Sequence, residues 1–397
     1  MLASRQPIVA SVLRDAWVEV DLGAIEHNMK VVRAALAPST KVLAVVKSDA
    51  YGHGAVGVAE LLIASGADGL GVASIDEGCQ LRAAGITCPI LILSPCPSWA
   101  LKAAIEADLQ LTVTGPGQIK DIADTAKSVK LIAKVHVKVD TGMHRLGIRP
   151  EDALGLLTLV SDYKQIELVG LCSHLAKADD EQTTDKQNQL FAQVVTQAKA
   201  IGHKPQLVHL ASSDAARLFP QTHYDMVRPG LMLYGLEARA VSNAVKPAMS
   251  VRGRINHLQT IESGQSVGYN LTWTAKRQTR LASIPIGYAD GIDRRLSNSV
   301  QGILLGKRVQ QVGLISMDQM LFDITDVPEA QDSDVITLIG CDAEHADSGP
   351  GRFEHTLYLA DWAVQLQTIT YELACRLRAR MPRIYTRHEV KAVRGSS

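Results

Sequence analysis

The chain has 397 residues, 46% of them apolar, which is enough for a barrel of roughly 250 residues plus a smaller second domain. Lysine plus arginine and aspartate plus glutamate balance at 41 each, so no net charge attracts nucleic acid or an acidic membrane surface. Residues 1–14 lack the apolar core of a secretion signal, and no stretch approaches the roughly 18 apolar residues of a membrane span. We therefore expect a cytoplasmic protein with a small-molecule partner.

The six cysteines predict neither a disulfide framework nor a metal site. They show no Cys-x-x-Cys pair and no Cys and His spacing typical of metal ligands, so we expect reduced and mostly buried thiols. They are Cys79, Cys88, Cys96, Cys172, Cys341 and Cys375.

The first predicted elements are a strand and a helix. Residues 17–21 alternate like a half-buried strand, and residues 22–37 have helical spacing. Apolar strands then recur at residues 42–46, 69–73, 90–93, 109–113, 132–139, 166–171, 206–210 and 226–233. Amphipathic helical stretches lie between them, such as residues 75–84, 99–106, 152–160 and 184–201. This alternation predicts a parallel (β/α)8 TIM-type barrel over about residues 21–240, rather than a doubly wound sheet.

Beyond about residue 245 the apolar pattern changes to a period of two, which predicts a C-terminal mainly-β domain over residues 241–397. Its predicted strands are residues 254–261, 280–286, 302–315, 320–324 and 335–339. A helix at residues 357–366 and the run 367–373 complete it, and the polar residues 342–354 are interpreted as a surface loop. The N-terminal strand, within residues 1–20, has no slot in the barrel and is expected to join this domain.

One buried strand ends in a lysine. Residues 45–54 (VVKSDAYGHG) pass from an apolar run to Lys47 and then to glycines, as expected where a barrel strand delivers an amine to the mouth of the barrel. A lysine that loses hydration has a lowered pKa, which favours the free amine that Schiff-base chemistry needs. Taken alone, such a lysine is more often one that extends its ammonium to solvent.

The same ten residues closely resemble the cofactor-lysine motif of alanine racemases, which are fold-type III pyridoxal-phosphate enzymes. The resemblance implies that Lys47 carries pyridoxal 5'-phosphate and that Tyr51 holds its phosphate. It extends from about residue 17 to residue 385.

The end of the fifth barrel strand, residues 138–145 (KVDTGMHR), resembles a second motif of this family. Alone, its charges would be interpreted as a surface ion pair and a solvated arginine. The resemblance implies that Arg145 contacts the cofactor's phenolic oxygen and the substrate carboxylate, for which its planar fork is suited. Lys138 corresponds to the lysine that many members carbamylate to hold this arginine. The sequence leaves open whether Lys138 is carbamylated.

Three later strands end in further candidates. By resemblance, His174 supports the catalytic tyrosine, although a lone histidine is more often a core residue. Ser213 opens a helix and is a candidate phosphate contact, whereas Ser212 stands where many racemases have asparagine. Arg228, costly in an apolar strand unless paired, corresponds to the arginine that faces the pyridine nitrogen and suppresses transamination. Gly230 and Leu231 would offer backbone N–H groups to the phosphate.

The β domain contributes the remaining candidates. Tyr269, in GQSVGYN, corresponds to the second catalytic base, with Asn270 where many members have glycine; alone it would be interpreted as a wall residue. Supporting positions implied by the resemblance are Tyr288 in IGYADG and Asp318 in SMDQ, where the Met317 N–H would meet the substrate carboxylate. Tyr371 corresponds to a second phosphate-binding tyrosine. Leu314 replaces an arginine found in some members at the substrate entry.

Together these correspondences imply two-base racemisation of L-alanine and D-alanine, supplying D-alanine for peptidoglycan. Lys47 would serve one face of the substrate and Tyr269, from the partner subunit, the other, so the active sites would be shared in a homodimer. A racemase for serine or a broader set of amino acids is the nearest alternative. A fold-type III decarboxylase would need a catalytic cysteine, for which Cys341 is a poor candidate, and a cofactor-carrier protein would lack the β domain.

Overall fold

A computed structural model describes residues 14–236, 244–341, 356–377 and 379–387. These residues form two compact units, one of residues 26–233 and one that combines the residues up to 25 with those from 234 onward. No helix in the described ranges is long and apolar enough to cross a membrane. The predicted surface loop at residues 342–354 lies outside the described residues.

The first unit is a closed barrel of parallel strands that pair in chain order, as predicted. The strands are β2 (Lys41–Val45), β3 (Gly69–Val72), β4 (Ile90–Pro95), β5 (Gln110–Val113), β6 (Ala133–Lys138), β7 (Ile166–Cys172), β8 (Leu207–His209) and β9 (Met226–Val227). Pairing of Lys41 with Met226 closes the barrel. Strands β3 and β5 are buried at every position, because one face fills the barrel and the other packs beneath helices.

Of the α-helices that begin in this part of the chain, the first precedes β2, the last follows β9 and the others lie between successive barrel strands. They are α1 (Leu22–Ala34), the short turn α2 (Lys47–Tyr51), α3 (Ala55–Ala64), α4 (Ile75–Ala83), α5 (Leu101–Glu106), α6 (Gly117–Val129), α7 (Ala153–Ser161), α8 (Glu181–Ala200), α9 (Ser213–Leu218) and α10 (Leu231–Tyr234).

The predicted eighth strand, residues 226–233, is wrong in its second half. Strand β9 ends at Val227, and Leu231–Tyr234 is a helical turn. Pro229 has no N–H to offer to a strand ladder, so the chain leaves the sheet there. Its carbonyl still accepts a hydrogen bond from Val45 N–H over 2.9 Å.

The second unit is mainly β, as predicted. Its strands are β1 (Ala16–Asp21), β10 (Met249–Arg254), β11 (His257–Ile261), β12 (Ser266–Val267), β13 (Trp273–Thr274), β14 (Thr279–Ile284), β15 (Gln301–Leu304), β16 (Lys307–Val312), β17 (Met320–Asp323), β18 (Val335–Cys341), β19 (Thr356–Leu357) and β20 (Arg383–Thr386), with helices α11 (Leu359–Leu366) and α12 (Thr370–Arg376). Within the described residues, all but β12 and β13 join one sheet, in which β1 lies between β10 and β20.

Two predicted strands of this unit are each two strands in the structure. Residues 254–261 divide because β10 ends at Arg254 and β11 begins at His257. Residues 302–315 form the hairpin β15–β16, in which Leu304 pairs with Lys307. Leu305 and Gly306 have φ values of +49° and +76°, the two positive values typical of a type I′ turn. A turn of two residues interrupts the apolar pattern too briefly to be seen in the sequence.

All six thiols are free, but the prediction that most are buried is wrong. Only Cys172 is buried; Cys375 is exposed and the other four are half-buried. The described residues contain no cluster of His, Cys, Asp and Glu that could hold a metal ion.

Candidate active site

The residues that follow Lys47 form a left-handed turn. Ser48, Asp49, Ala50 and Tyr51 have φ values between +53° and +55°, a region that residues with a Cβ rarely adopt in succession. The cost is roughly 1 to 2 kcal/mol per residue, so this backbone needs partners that hold it. Asp49 supplies one, because its Oδ1 accepts a hydrogen bond from Ala55 N–H over 2.7 Å. The sequence motif that contains Lys47 and Tyr51 gave no sign of the left-handed backbone that joins them.

Tyr51 and Ser213 meet at Gly230. The Ser213 hydroxyl accepts hydrogen bonds from the N–H groups of Gly230, over 3.0 Å, and Met232, over 3.3 Å. A Cβ built on Gly230 would lie 2.6 Å from the hydroxyl oxygen of Tyr51, so that phenol reaches across the glycine because no side chain is there. Two hydroxyls and the amides of a short turn therefore converge on one place. Such a cradle suits a phosphate.

Arg228 is buried, and four hydrogen bonds from Nη1 and Nη2 hold its guanidinium in place. Its guanidinium donates to the carbonyls of Ser173, over 2.7 Å, and Leu210, over 2.9 Å. It also donates to Nδ1 of His209, over 2.7 Å, and to Nδ1 of His174, over 3.3 Å, because a guanidinium has no acceptor. His174 therefore keeps its proton on Nε2. Its pKa lies well below the usual value because of burial first and the charge of Arg228 second.

Three cationic side chains, those of Lys47, Arg145 and Arg228, act on Lys138 at the mouth of the barrel. Burial lowers the pKa of the Lys138 ammonium, and Cys172 acts in the opposite direction. The positive charges of Arg228, Arg145 and Lys47 lower that pKa further, which means that all three act on Lys138. A concentration of cations of this kind favours a ligand that carries phosphate and carboxylate groups.

A cleft of about 760 Å³ lies in the second unit. It is lined by Tyr269, Tyr288, Arg294, Ile315, Ser316, Met317 and Asp318. The structure thus brings together four candidates predicted from the sequence and adds Arg294, which no motif indicated. Tyr269 is 68% exposed within the single chain, so its phenol is available to a second molecule.

A glycine shapes one wall of this cleft. Tyr288 N–H and Ala289 N–H donate to the carbonyls of Ser316 and Met317, each over 3.0 Å. A Cβ at Gly287 would lie 2.2 Å from the Ser316 oxygen and 2.3 Å from the Met317 oxygen, so only glycine fits there. The N–H of Met317 donates to no other described residue and remains available to a ligand.

The carboxylate of Asp318, in the cleft wall, accepts a hydrogen bond from an arginine. Arg380 donates to Asp318 over 2.5 Å and to the buried carboxylate of Asp290 over 2.7 Å. Burial alone would raise the pKa of Asp290, but hydrogen bonds from Arg14, Arg380 and Gly287 N–H hold it below the usual value. We therefore interpret Asp318 as a supporting residue of the cleft wall.

Two family models cover almost all of the chain. The model "Alanine racemase, N-terminal domain" matches residues 20–238, and "Alanine racemase, C-terminal domain" matches residues 248–385. This chain belongs to the alanine racemase family. An alanine racemase from Nostoc sp. is 40% identical over 377 residues, which cover 93% of this chain and 95% of that protein. One from Methanococcus maripaludis is 36% identical, with 93% and 98% covered.

Solved structures of alanine racemases have the same fold. The enzyme from Clostridium difficile 630 superposes with a TM-score of 0.86 at 31% identity, covering 94% of this chain and 96% of that one. The Bacillus anthracis enzyme with bound L-Ala-P superposes with a TM-score of 0.85 at 34% identity and the same coverage.

Three residues, Ser212, Asn270 and Leu314, differ from those found in some alanine racemases, and the backbone conformation explains one of these differences. Asn270 has a φ of +59°, a left-handed conformation that asparagine tolerates better than other residues with a Cβ, so it can replace the more usual glycine. Ser212 precedes α9 without donating or accepting a capping hydrogen bond through its side chain. Leu314 is half-buried beside the cleft residue Ile315. Tyr371 lies half-buried on α12.

Proposed function

We propose that this chain interconverts L-alanine and D-alanine with pyridoxal 5'-phosphate, using Lys47 and Tyr269 as the two bases, and that it supplies D-alanine for peptidoglycan. The observation that carries the proposal is the cradle of Tyr51, Ser213 and Gly230, whose tyrosine lies in the same turn as Lys47, in a chain of the alanine racemase family. A cytoplasmic location stays a prediction.

The residues of the barrel mouth fit this cofactor. The hydroxyls of Ser213 and Tyr51, the N–H of Leu231 and the phenol of Tyr371 suit a phosphate. The N–H of Gly230, the remaining proposed contact, donates to Ser213 in this structure and would have to turn from that hydroxyl to the phosphate. Bound through Lys47, the cofactor supplies an electron sink that acidifies the α C–H of an amino acid. Arg228 is the proposed partner of the pyridine nitrogen. A buried guanidinium that cannot accept a hydrogen bond keeps that nitrogen unprotonated, which weakens the sink and disfavours transamination.

The protein residues bind the substrate and move the protons. Arg145 and, from the cleft that also carries Tyr269, the N–H of Met317 are the proposed donors to the substrate carboxylate. They would fix which groups face the two bases. Lys47 Nζ would remove or return the α proton on one face and Tyr269 Oη on the other, so neither base has to move between faces. Proposed supporting roles belong to His174 beside the phenol, to Tyr288 and Asp318 in the cleft wall, and to Lys138 beside Arg145.

We propose a homodimer in which Tyr269 of the partner subunit completes each site. The exposed phenol in the single chain supports this arrangement. An amino acid is the proposed small-molecule partner. Related solved structures support it, since one C. difficile structure is a complex with cycloserine and the B. anthracis enzyme holds L-Ala-P.

Two measurements test the proposed function. Borohydride reduction of the holoenzyme followed by peptide mapping is expected to find a pyridoxyl group on Lys47, and modification of another lysine would contradict the assignment. A chiral assay with both enantiomers of alanine, serine, lysine and arginine is expected to give the fastest turnover for alanine. Faster turnover of another amino acid would reassign the substrate. Release of carbon dioxide without interconversion of the enantiomers would indicate a decarboxylase.

A further inference from the structure

The carboxylate of Glu77 joins two loops at the mouth of the barrel. Its Oε2 accepts hydrogen bonds from Ala73 N–H, over 2.7 Å, and Ser74 N–H, over 3.2 Å. Glu77 N–H donates in return to the Ser74 hydroxyl over 3.3 Å, which makes a capping box at the start of α4. The cap uses only Oε2. The other oxygen, Oε1, accepts a hydrogen bond from Ser48 N–H over 2.6 Å.

Ser48 is where the left-handed turn begins. The end of the turn is held through Asp49, whose carbonyl accepts from Gly54 N–H over 2.8 Å and whose side chain accepts from Ala55 N–H. The beginning is held through Glu77, which binds the first amide of the strained segment. A charge-assisted hydrogen bond at this amide offsets part of the cost of the unusual backbone.

The two amides that flank Lys47 are therefore both attached to the neighbouring strand and its helix. Val46 N–H donates to the carbonyl of Gly71, in β3, over 2.8 Å, and Ser48 N–H donates to Glu77, in α4. With both sides fixed, the direction in which the Lys47 side chain leaves the backbone is fixed as well. The same turn carries Tyr51 to its position at Gly230.

We propose that Glu77 is a positioning residue, which holds the left-handed turn so that Lys47 and Tyr51 are preorganised for the cofactor. The roles of Lys47 and Tyr51 in this inference rest on the proposed function. The claim that Glu77 fixes the turn does not rest on the proposed function, because it concerns only hydrogen bonds within this chain. The alternative role of Glu77, a cap for α4 alone, predicts effects on that helix and none on the turn.

Three variants separate these roles. Glu77→Gln has nearly the same shape, but its single amide oxygen cannot serve both Ser48 and the cap. Ser74→Ala removes the hydroxyl half of the capping box and leaves the carboxylate in place. Asp76→Asn is the matched control. It also removes one negative charge from the first turn of α4, but the Asp76 side chain makes no hydrogen bond to the described residues.

The test uses the holoenzyme and measures hydrogen exchange of peptides within residues 46–54, cofactor release by absorbance, and kcat and KM for alanine. For Glu77→Gln we expect exchange in residues 46–54 and cofactor release to accelerate by about 10- to 100-fold, the range for losing a hydrogen bond to a charged group. We also expect kcat to fall more than KM rises. Ser74→Ala should accelerate exchange only in α4, and Asp76→Asn should resemble the wild type.

Unchanged exchange in residues 46–54 of a folded Glu77→Gln protein would overturn the proposal. Faster exchange with unchanged cofactor release and kcat would also overturn it, because the hold would then not position Lys47 or Tyr51. If Glu77→Gln does not fold, Glu77→Asp, which keeps both oxygens on a shorter side chain, is measured instead with the same expectations. A wild-type chain that neither binds pyridoxal phosphate nor racemises alanine would contradict the proposed function, whereas the exchange comparison would still decide whether Glu77 holds the turn.

Discussion

Nη1 of Arg228 donates to Nδ1 of His209 over 2.7 Å, and this contact determines the protonation of two imidazoles inside the barrel. Because His209 accepts at Nδ1, its proton lies on Nε2, which donates to Nδ1 of His136 over 2.9 Å. Nε2 of His136 then donates to the Gln110 side-chain oxygen over 2.8 Å. Gly170 makes room, since a Cβ there would lie 2.0 Å from His136 Nδ1.

This arrangement predicts a loss of stability at acidic pH. Burial first and the charge of Arg228 second lower the pKa of His136 to about 3, and the pKa of His209 is also well below its usual value. The unfolded chain binds these protons near pH 6.5, so it binds more protons than the folded chain between about pH 6.5 and 3. The stability contributed by the neutral histidines is present above about pH 6.5 and is lost as the pH falls toward 3.

The measurement is the thermal unfolding midpoint between pH 7.5 and 4. His136→Gln is expected to have a lower midpoint than the wild type at pH 7.5, because it breaks the chain of hydrogen bonds. Its midpoint should fall less than that of the wild type when the pH is lowered. His257→Gln, on the exposed strand β11, is the control and should follow the wild type. An equally steep loss in His136→Gln would show that other groups cause the acid sensitivity.

The cradle at Gly230 predicts a binding defect without a folding defect. In Gly230→Ala the new Cβ would lie 2.6 Å from the Tyr51 hydroxyl, so that phenol must move away from the proposed phosphate site. We expect the affinity of the apoenzyme for pyridoxal phosphate to fall by about tenfold or more, as for the loss of a hydrogen bond to a charged group. A cofactor titration followed by absorbance measures it. In the control Gly155→Ala, on α7, the Cβ meets no heavy atom within 4 Å and affinity should not change.

The sequence was sufficient to predict the barrel because every barrel strand is buried on both faces. That burial requires the recurring apolar segments from which the strands were predicted. It was insufficient where backbone conformation decides the structure. The left-handed turn after Lys47 contains Ser48, Ala50 and Tyr51, and the two-residue turn begins at Leu305; none of these four residues has a preference for positive φ. Local patterns could not indicate either of them.

Long-range pairing explains the remaining differences at the site. His136 and His209 lie in mainly apolar strands, and their sequence context is that of ordinary core histidines. Only the structure shows that Arg228 donates to His209 and that His209 contacts His136. Glu77 was visible only as a residue of a predicted helix, since its contact with Ser48 joins residues 29 positions apart. Arg294 reaches the cleft through folding of the second unit, and no signal in the sequence could have found it.

The proposed shared site predicts complementation between two inactive variants. Lys47→Ala and Tyr269→Phe homodimers should each lose about 100- to 10,000-fold in kcat, as typical for removal of an acid or base. After complete subunit exchange at equal amounts, half of the dimers are mixed and each has one site with both bases, so about a quarter of the wild-type activity should return. No recovery after exchange has been verified by mass would place both bases within one chain.

The roles of the two bases predict an asymmetric defect in Tyr269→Phe. This variant keeps the aromatic ring but removes the hydroxyl that would carry the proton on the face of L-alanine, whereas Lys47 would still serve the face of D-alanine. In deuterated water we expect deuterium to enter the α position of D-alanine through Lys47 while L-alanine exchanges far more slowly, and racemisation should be suppressed in both directions. The equilibrium between the enantiomers stays at unity because they are mirror images, so only rates change. Mass spectrometry of the separated enantiomers measures the exchange. Tyr163→Phe, at a half-buried tyrosine of the barrel unit that has no proposed role, is the matched control. Equal exchange of both enantiomers would mean that Lys47 or water reaches both faces and that Tyr269 only forms a wall.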